Sequence, residues 1–262
     1  PNIAITSGDT TLTISGSTGG GVGGVGPIDL ITYNIKTKGY INYDIKTVSY
    51  RKSATKYAHK KNDRINRSPS KIQSTMNVNL AGSIYLFDAI LNHASQAKIV
   101  SVGSSSEYGN TAAFHKFISE DVPLLPTSPY GISKAALSML SRVYASALNL
   151  HVLHVRPFAI IGPRKKRDAL SEFSQGVVEI EQGVRNFLSV GNLTAIRDFI
   201  DIRDCVDALA LLSEKGKDGE IYNLCNARGT SMEEMLEILK KCARKPVTTV
   251  TDKKRTRKID DQ

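Results

Sequence analysis

The sequence predicts an α/β protein, a parallel sheet covered by helices, built chiefly from the residues after about Ser70. Three observations predict it. Short apolar runs of strand length alternate with longer runs of helical apolar spacing. The helical runs carry capping and stopping residues where helices need them. And 40% of the 262 residues are hydrophobic without any run long enough to span a bilayer, so the apolar content serves a core.

The elements follow in order. In "NVNLAGSIYLFDAILNHAS", Leu80, Ile84, Phe87 and Leu91 recur on one helical face. "AKIVSVGS" reads as a buried strand from about Lys98 to Val102. Ser128 can cap the next helix with Pro129 at its first position, and Ile132, Ala136, Leu140, Val143 and Ala147 continue its apolar face. "HVLHVRPF" is a strand, "RDCVDALALLSEKG" a helix stopped by Gly216, and "GEIYNLCN" a strand. "SMEEMLEILKKCA" opens on a capping box, Ser231 with Glu234, and ends in lysines that suit the helix dipole.

Residues 1–69 have a different texture. Up to residue 75 there are eleven Lys and Arg against four Asp, and the first glutamate is Glu107. "TLTISGSTGGGVGGVG" reads as a strand and a glycine turn. Gly20, Gly23 and Gly26 have the spacing of a dinucleotide-binding loop, but glycines this dense produce such spacings by chance. A working loop needs a helix right after Gly26 to aim its amides at a pyrophosphate, and "PIDLITYNIK" is a mediocre helix former. The alternatives are a degenerate cofactor-binding βαβ unit and a low-complexity leader. Arg51 and Lys52, after a possible second strand, would suit a 2′-phosphate and favour NADP over NAD.

The net charge of +10 favours anionic partners such as nucleotides and phosphates. Nucleic acid is not expected, because no recognition motif is present, aromatics are 6% and Trp is absent. Cys205, Cys225 and Cys242 lack metal spacing and read as reduced thiols of a cytoplasmic protein. His151 and His154, three apart in a strand, face opposite sides and make a poor metal pair. No metal and no membrane partner is expected.

Tyr130 and Lys134 in "SPYGISK" stand one helical turn apart and share a face. Tyr57 and Lys61 have the same spacing, so context decides between them. It is supplied by "VGSSSEYG", "SPYGISK", "RPFAIIGPR", "VGNLTAIRDFIDIRDCVDAL" and "GEIYNLCNARGTSMEEMLEIL", in that order. With these motifs, residues from about Ser70 to Arg257 resemble an extended short-chain dehydrogenase/reductase acting on nucleotide sugars. The branch is that of GDP-4-dehydro-6-deoxy-mannose reductase and GDP-mannose 4,6-dehydratase.

The resemblance implies a Rossmann-like sheet with a small C-terminal substrate-binding subdomain and an incomplete N-terminal half. The expected division is 1–69, an aberrant basic and glycine-rich segment; 70–162, the catalytic portion; and 163–262, the nucleotide-sugar portion, with some elements returning to the sheet. It implies that Tyr130 and Lys134 are catalytic. A free phenol has a pKa of about 10, and a nearby cation favours its phenolate, which suits proton donation to a ketone oxygen. It implies Ser104 as the third member, with Ser105 adjacent on the substrate side. Lys134, Tyr130 and Pro157 join Gly20, Gly23, Gly26 and Arg51 as cofactor residues for NADP, with NAD the alternative. Arg197 and Arg255 match arginines that meet the diphosphate, whose oxygens suit the guanidinium fork, and Asn192 would line the guanosine pocket. A homodimer through the Tyr130 helix and its "NVN" neighbour is implied too.

The departures are specific. Dehydratases of this branch carry a glutamate two before the loop tyrosine; here that residue is Ser106, and Glu107 follows it. Ala159 replaces an asparagine, and the basic run Arg164–Arg167 faces either solvent or the diphosphate. Tyr50 to Ser70 is too short for the strands such a family places there, and its closing helix is missing after Arg257. The expected activity is NADPH-dependent reduction of a GDP-4-dehydro-6-deoxyhexose. The alternatives are a 4,6-dehydratase or epimerase, and a remnant that binds nucleotide sugar without turnover.

Overall fold

The computed structural model describes residues 2–8, 11–17, 31–34, 69–94, 96–115, 117–165 and 168–252. The chain divides into two units, Pro1–Asn66 and Arg67–Gln262. In the first, β1 (Asn2–Gly8), β2 (Thr11–Ser17) and β3 (Ile31–Asn34) form an antiparallel sheet in that order. The strand expected before the glycines is therefore present. Among the described residues no parallel βαβ unit is formed: β3 lies antiparallel to β2 where such a unit would carry its helix. Gly20, Gly23, Gly26, Arg51 and Arg255 lie outside the described residues.

The second unit centres on β5 (Val152–Pro157), buried at every position and flanked in parallel by β4 (Ile99–Val102) and β9 (Ile221–Leu224). One face of this sheet is covered by α2 (Gly82–His93) and α3 (Pro129–Leu148), through Phe87, Ile90, Leu137 and Tyr144 packed on Ile99 and Val152. The rings of Phe87 and Tyr144 meet edge to face, 5.2 Å between centroids. A second cluster joins Leu153, Val155 and Leu224 to Ile200 of β8 (Ile196–Asp201) and Cys205 of α5 (Ile202–Lys215). A third joins α4 (Ala169–Glu181), β7 (Leu188–Val190) and α6 (Met232–Cys242) around Phe173, Leu188 and Leu236.

Not every strand pair is parallel. β8 pairs in parallel with β6 (Ala159–Ile161), but β10 (Gly229–Ser231) joins it antiparallel. β7 pairs in parallel with β11 (Thr249–Thr251).

Local chemistry sets the helix ends. The Ser128 hydroxyl accepts from the Gly131 amide at 3.0 Å, and Pro129 opens α3. Asn149, left-handed at φ 54°, closes it. The α6 capping box forms as read, with Ser231 and Glu234 each accepting from the other's amide. Gly216 does stop α5, but its φ is −65°. It is required for space, since a Cβ there would lie 2.3 Å from the Leu153 side chain. The "NVN" helix starts earlier than its apolar pattern, with α1 (Pro69–Met76), and a π-helical turn over Asn77–Ala81 joins it to α2. That turn presents Asn79, whose amide donates to Ser133 Oγ of α3 at 3.0 Å.

The Tyr144 hydroxyl donates to Asp88 and ties α3 to α2. Burial, then the Asp88 carboxylate, pushes the phenol up to about 12. The folded state thus holds this proton more tightly than the unfolded chain. The contribution is complete below pH 10 and is lost as pH rises through about 12. Tyr144→Phe should cost about 1–2 kcal/mol in urea denaturation at pH 7 and should flatten the loss of stability between pH 10 and pH 12.

Candidate active site

The site grows from the C-terminal end of β4. After Val102 the chain passes through Gly103 and Ser104 into a 3₁₀ turn, Ser105–Glu107. Ser104 caps the turn: its hydroxyl accepts from the Ser106 amide at 3.2 Å, and its own amide donates to Glu107 Oε1 at 2.9 Å. The first turn of α3 abuts this loop so closely that a Cβ on Gly131 would lie 2.5 Å from the Ser106 carbonyl oxygen. Tyr130 and Lys134 are thereby brought to the serine turn.

Lys134 Nζ donates to the Val102 carbonyl at 2.7 Å and lies 5.9 Å from the centre of the Tyr130 ring. Burial pushes the Lys134 ammonium below its ordinary pKa, and the Glu107 carboxylate pushes it back up. Tyr130 itself is 44% exposed.

Beside the turn lies a cavity of about 1240 Å³, whose walls include Ser104, Ser105, Ser106, Asn192, Arg197 and Arg228. The structure thus brings four of the expected residues, Ser104, Ser105, Asn192 and Arg197, to one cavity. Tyr130 and Lys134 stand next to it, behind Ser128, which is a wall residue. Pro157 is buried at the end of β5, and the wall is formed instead by the following Phe158 and Ala159.

Asn192 Oδ1 is held by the Thr194 amide and hydroxyl at 2.9 and 2.8 Å. Arg197 donates to the Ile196 carbonyl at 2.8 Å. The Asp198 carboxylate accepts from the amides of Asn226 and Arg228 at 2.7 and 3.1 Å, pinning the loop that carries Arg228. Burial pushes the Cys225 thiol of the same wall up, away from a reactive thiolate. In the basic loop, exposed Lys165 folds back onto the Ile160 carbonyl and Asp168.

The family described as GDP-mannose 4,6 dehydratase matches residues 62–262. The chain belongs to this family. GDP-6-deoxy-D-mannose reductase of Pseudomonas aeruginosa is 28% identical over 198 residues, 75% of this chain and 64% of the reductase. GDP-mannose 4,6 dehydratase 2 of Arabidopsis thaliana is 28% identical over 63% of this chain and 44% of its own length. The solved structure of RMD from Pseudomonas aeruginosa complexed with NADPH superposes with a TM-score of 0.66 at 27% identity, covering 73% of this chain and 67% of that one. The chain therefore spans less than two thirds of the length of these curated relatives.

In this member of the GDP-mannose 4,6 dehydratase family, Glu107 is turned away from the cavity and is fully buried, as is Tyr108. Arg156 Nε donates to Glu107 Oε2 at 2.8 Å, and His154 Nε2 meets Oε1 at 3.0 Å. Neutral His154 can donate through Nε2 while Nδ1 accepts from Ser101 Oγ at 3.1 Å. Arg156 also reaches Tyr108, Ser138 and the Glu120 carbonyl, and the Tyr108 hydroxyl donates to Asn223 Oδ1 at 2.6 Å. Burial raises the Tyr108 phenol, against the lowering pull of Arg156 and Asn223. Sequence reasoning missed this network. The available signal was two polar residues, His154 and Arg156, spaced i, i+2 on one face of an otherwise apolar strand.

A buried ion pair stripped of one member leaves the other uncompensated. Arg156→Met should lower stability by about 3–5 kcal/mol, measured by urea denaturation. A loss near zero would mean that solvent reaches Glu107.

Proposed function

We propose that the chain carries the reactive part of a nucleotide-sugar oxidoreductase that reduces the 4-keto group of a GDP-4-dehydro-6-deoxyhexose with NADPH. One observation carries the choice of reduction. A phenol–lysine pair stands beside a serine turn whose single carboxylate, Glu107, is sealed in the core. Reduction needs a proton donor and an anchor for the ketone, whereas elimination of water also needs an acid–base group that reaches the sugar. Burial of Glu107 disfavours the 4,6-dehydratase alternative.

The chain's residues suit the nicotinamide end of the cofactor. Phenol and ammonium lie side by side at the C-terminal end of the parallel strand β4, where open α/β sheets take their ligands. When bound, NADPH supplies the hydride to C4. Tyr130 gives its phenolic proton to the ketone oxygen, and Lys134 stabilises the phenolate left behind. Ser104, or Ser105 beside it, donates to the same oxygen and orients it. Arg197 meets the diphosphate, and Asn192 lies toward the guanosine. Residues 70–162 then carry the chemistry and 163–262 the nucleotide sugar, a division supported by the separate core of α4, β7 and α6.

A second reading, binding without turnover, is favoured by the antiparallel arrangement of β1, β2 and β3, which is not a cofactor-binding βαβ unit. NADPH titration of the purified chain separates the two. A homodimer is part of the proposal: Tyr85 of α2 and Ile132, Met139 and Val143 of α3 are exposed apolar side chains. Met139→Glu should convert the dimer to monomer in sedimentation.

Tyr130→Phe should lower turnover by roughly 10²–10⁴-fold, the contribution of a positioned proton donor, and leave the melting temperature unchanged. Tyr57→Phe should leave turnover intact. Arg197→Ala should weaken calorimetric GDP binding by about 1.5–3 kcal/mol, a charge-assisted bond, with NADPH affinity retained. Unaltered GDP affinity would remove Arg197 from the site.

A further inference from the structure

We propose that Glu107 is a positioning residue: its buried carboxylate, gripped by Arg156 and His154, fixes the Ser104 main chain and supplies a constant negative charge behind the strand end on which Lys134 rests. The inference rests on the reading of Ser104, Tyr130 and Lys134 as the reactive group.

Three observations converge on it. The carboxylate is fully buried, and both oxygens are engaged by named donors: the Ser104 amide and His154 on Oε1, Arg156 on Oε2. It therefore has one fixed location rather than a range of rotamers. The backbone is shaped to receive it, because a Cβ on Gly103 would lie 2.0 Å from Glu107 Oε1 and 2.2 Å from His154 Nε2. Gly103 is the residue between Val102, whose carbonyl accepts from Lys134, and Ser104. The same short segment is thus held by Glu107 at Ser104 and by Lys134 at Val102. Its position determines where the serine hydroxyl and the lysine ammonium stand relative to each other.

The charge has a second consequence. Burial disfavours the ammonium form of Lys134, and the Glu107 carboxylate offsets part of that cost. The other groups facing this pair are Tyr130 on the helix of Lys134, and His154 and Arg156 on β5; Glu120 meets Arg156 through its carbonyl.

The test uses the whole chain with ¹³C-methylated lysines, the Lys134 signal being assigned by its loss in Lys134→Arg. Glu107→Gln should move the Lys134 titration midpoint downward. Ser138→Ala removes a partner of Arg156 and loosens the same network with the carboxylate retained; it should lower the melting temperature and leave the midpoint in place. An unmoved midpoint in Glu107→Gln, or an equal movement in Ser138→Ala, overturns the proposal. In Glu107→Gln the new amide faces the Arg156 Nε donor. If that variant does not fold, Glu107→Gln with Arg156→Met removes the conflict and is judged by the same criterion. Where the wild-type chain turns over, Glu107→Gln should lower kcat on the order of a hundredfold, the scale of a displaced reactive group, with NADPH affinity retained. An equal loss in Ser138→Ala overturns the positioning role. A wild-type chain without NADPH binding or turnover defeats the functional reading alone, and the lysine titration still decides this one.

Discussion

A carboxylate without access to water must have its charge answered by protein groups, and the centre of the second unit is arranged around that need. Glu107 cannot remain buried unless Arg156 and His154 come from β5 to meet it. That requirement fixes polar residues at alternate positions of the central strand, Ser101 on the neighbouring strand, and a glycine at position 103 over which the carboxylate and imidazole can pass. Arg156 in turn draws in Tyr108, Ser138 and the chain at Glu120, and Tyr108 reaches Asn223 on β9. One ion pair thereby connects β4, β5, β9, α3 and the loop after the serine turn. Replacing the whole set with apolar residues could preserve stability, but it would remove the bonds that specify how the serine turn sits.

Close approaches provide the remaining constraint. Gly131 lets the first turn of α3 rest against the Ser106 carbonyl, and Ser133, Ala135, Ser138 and Ser141 keep the buried face of that helix narrow. A larger side chain on this face would move Tyr130 and Lys134 away from Ser104 together, because one rigid helix carries both. Gly109, at φ 51°, turns the chain back beneath Leu125, where a Cβ would lie 2.0 Å from the Leu125 carbonyl oxygen. The conformation and the space both exclude other residues there.

What could be read from the sequence is what depends on neighbours along the chain. The start of α3 follows from Ser128 and Pro129, and that of α6 from Ser231 and Glu234, because caps are local chemistry. The strands β4, β5 and β9 follow from short apolar runs, and the sharing of one helical turn by Tyr130 and Lys134 from their spacing. The π turn at Asn77–Ala81 was not legible, since its bonds reach one residue further along without a distinctive residue type. Nor was the antiparallel return of β10 onto β8, which is decided by tertiary pairing. In the site, the gathering of Ser104, Ser105, Asn192 and Arg197 at one cavity follows the motif order. The part played by Arg156 does not, because its partner stands 49 residues away in the chain.

The place of the glutamate at the end of the serine turn has a geometric meaning. A 3₁₀ turn has three residues per turn, so successive side chains point about 120° apart. Ser106 faces the cavity, and Glu107, the next residue, is rotated away from it into the core. The same period brings Glu107 back over Ser104, three residues earlier, which is why its carboxylate caps the Ser104 amide. A carboxylate held in the core by the Ser104 amide, His154 and Arg156 cannot also reach a sugar in the cavity. Position within the turn thus separates two uses of the same residue type: at 106 a carboxylate would be an exposed acid or base, and at 107 it is a fixed charge that holds the strand end in place.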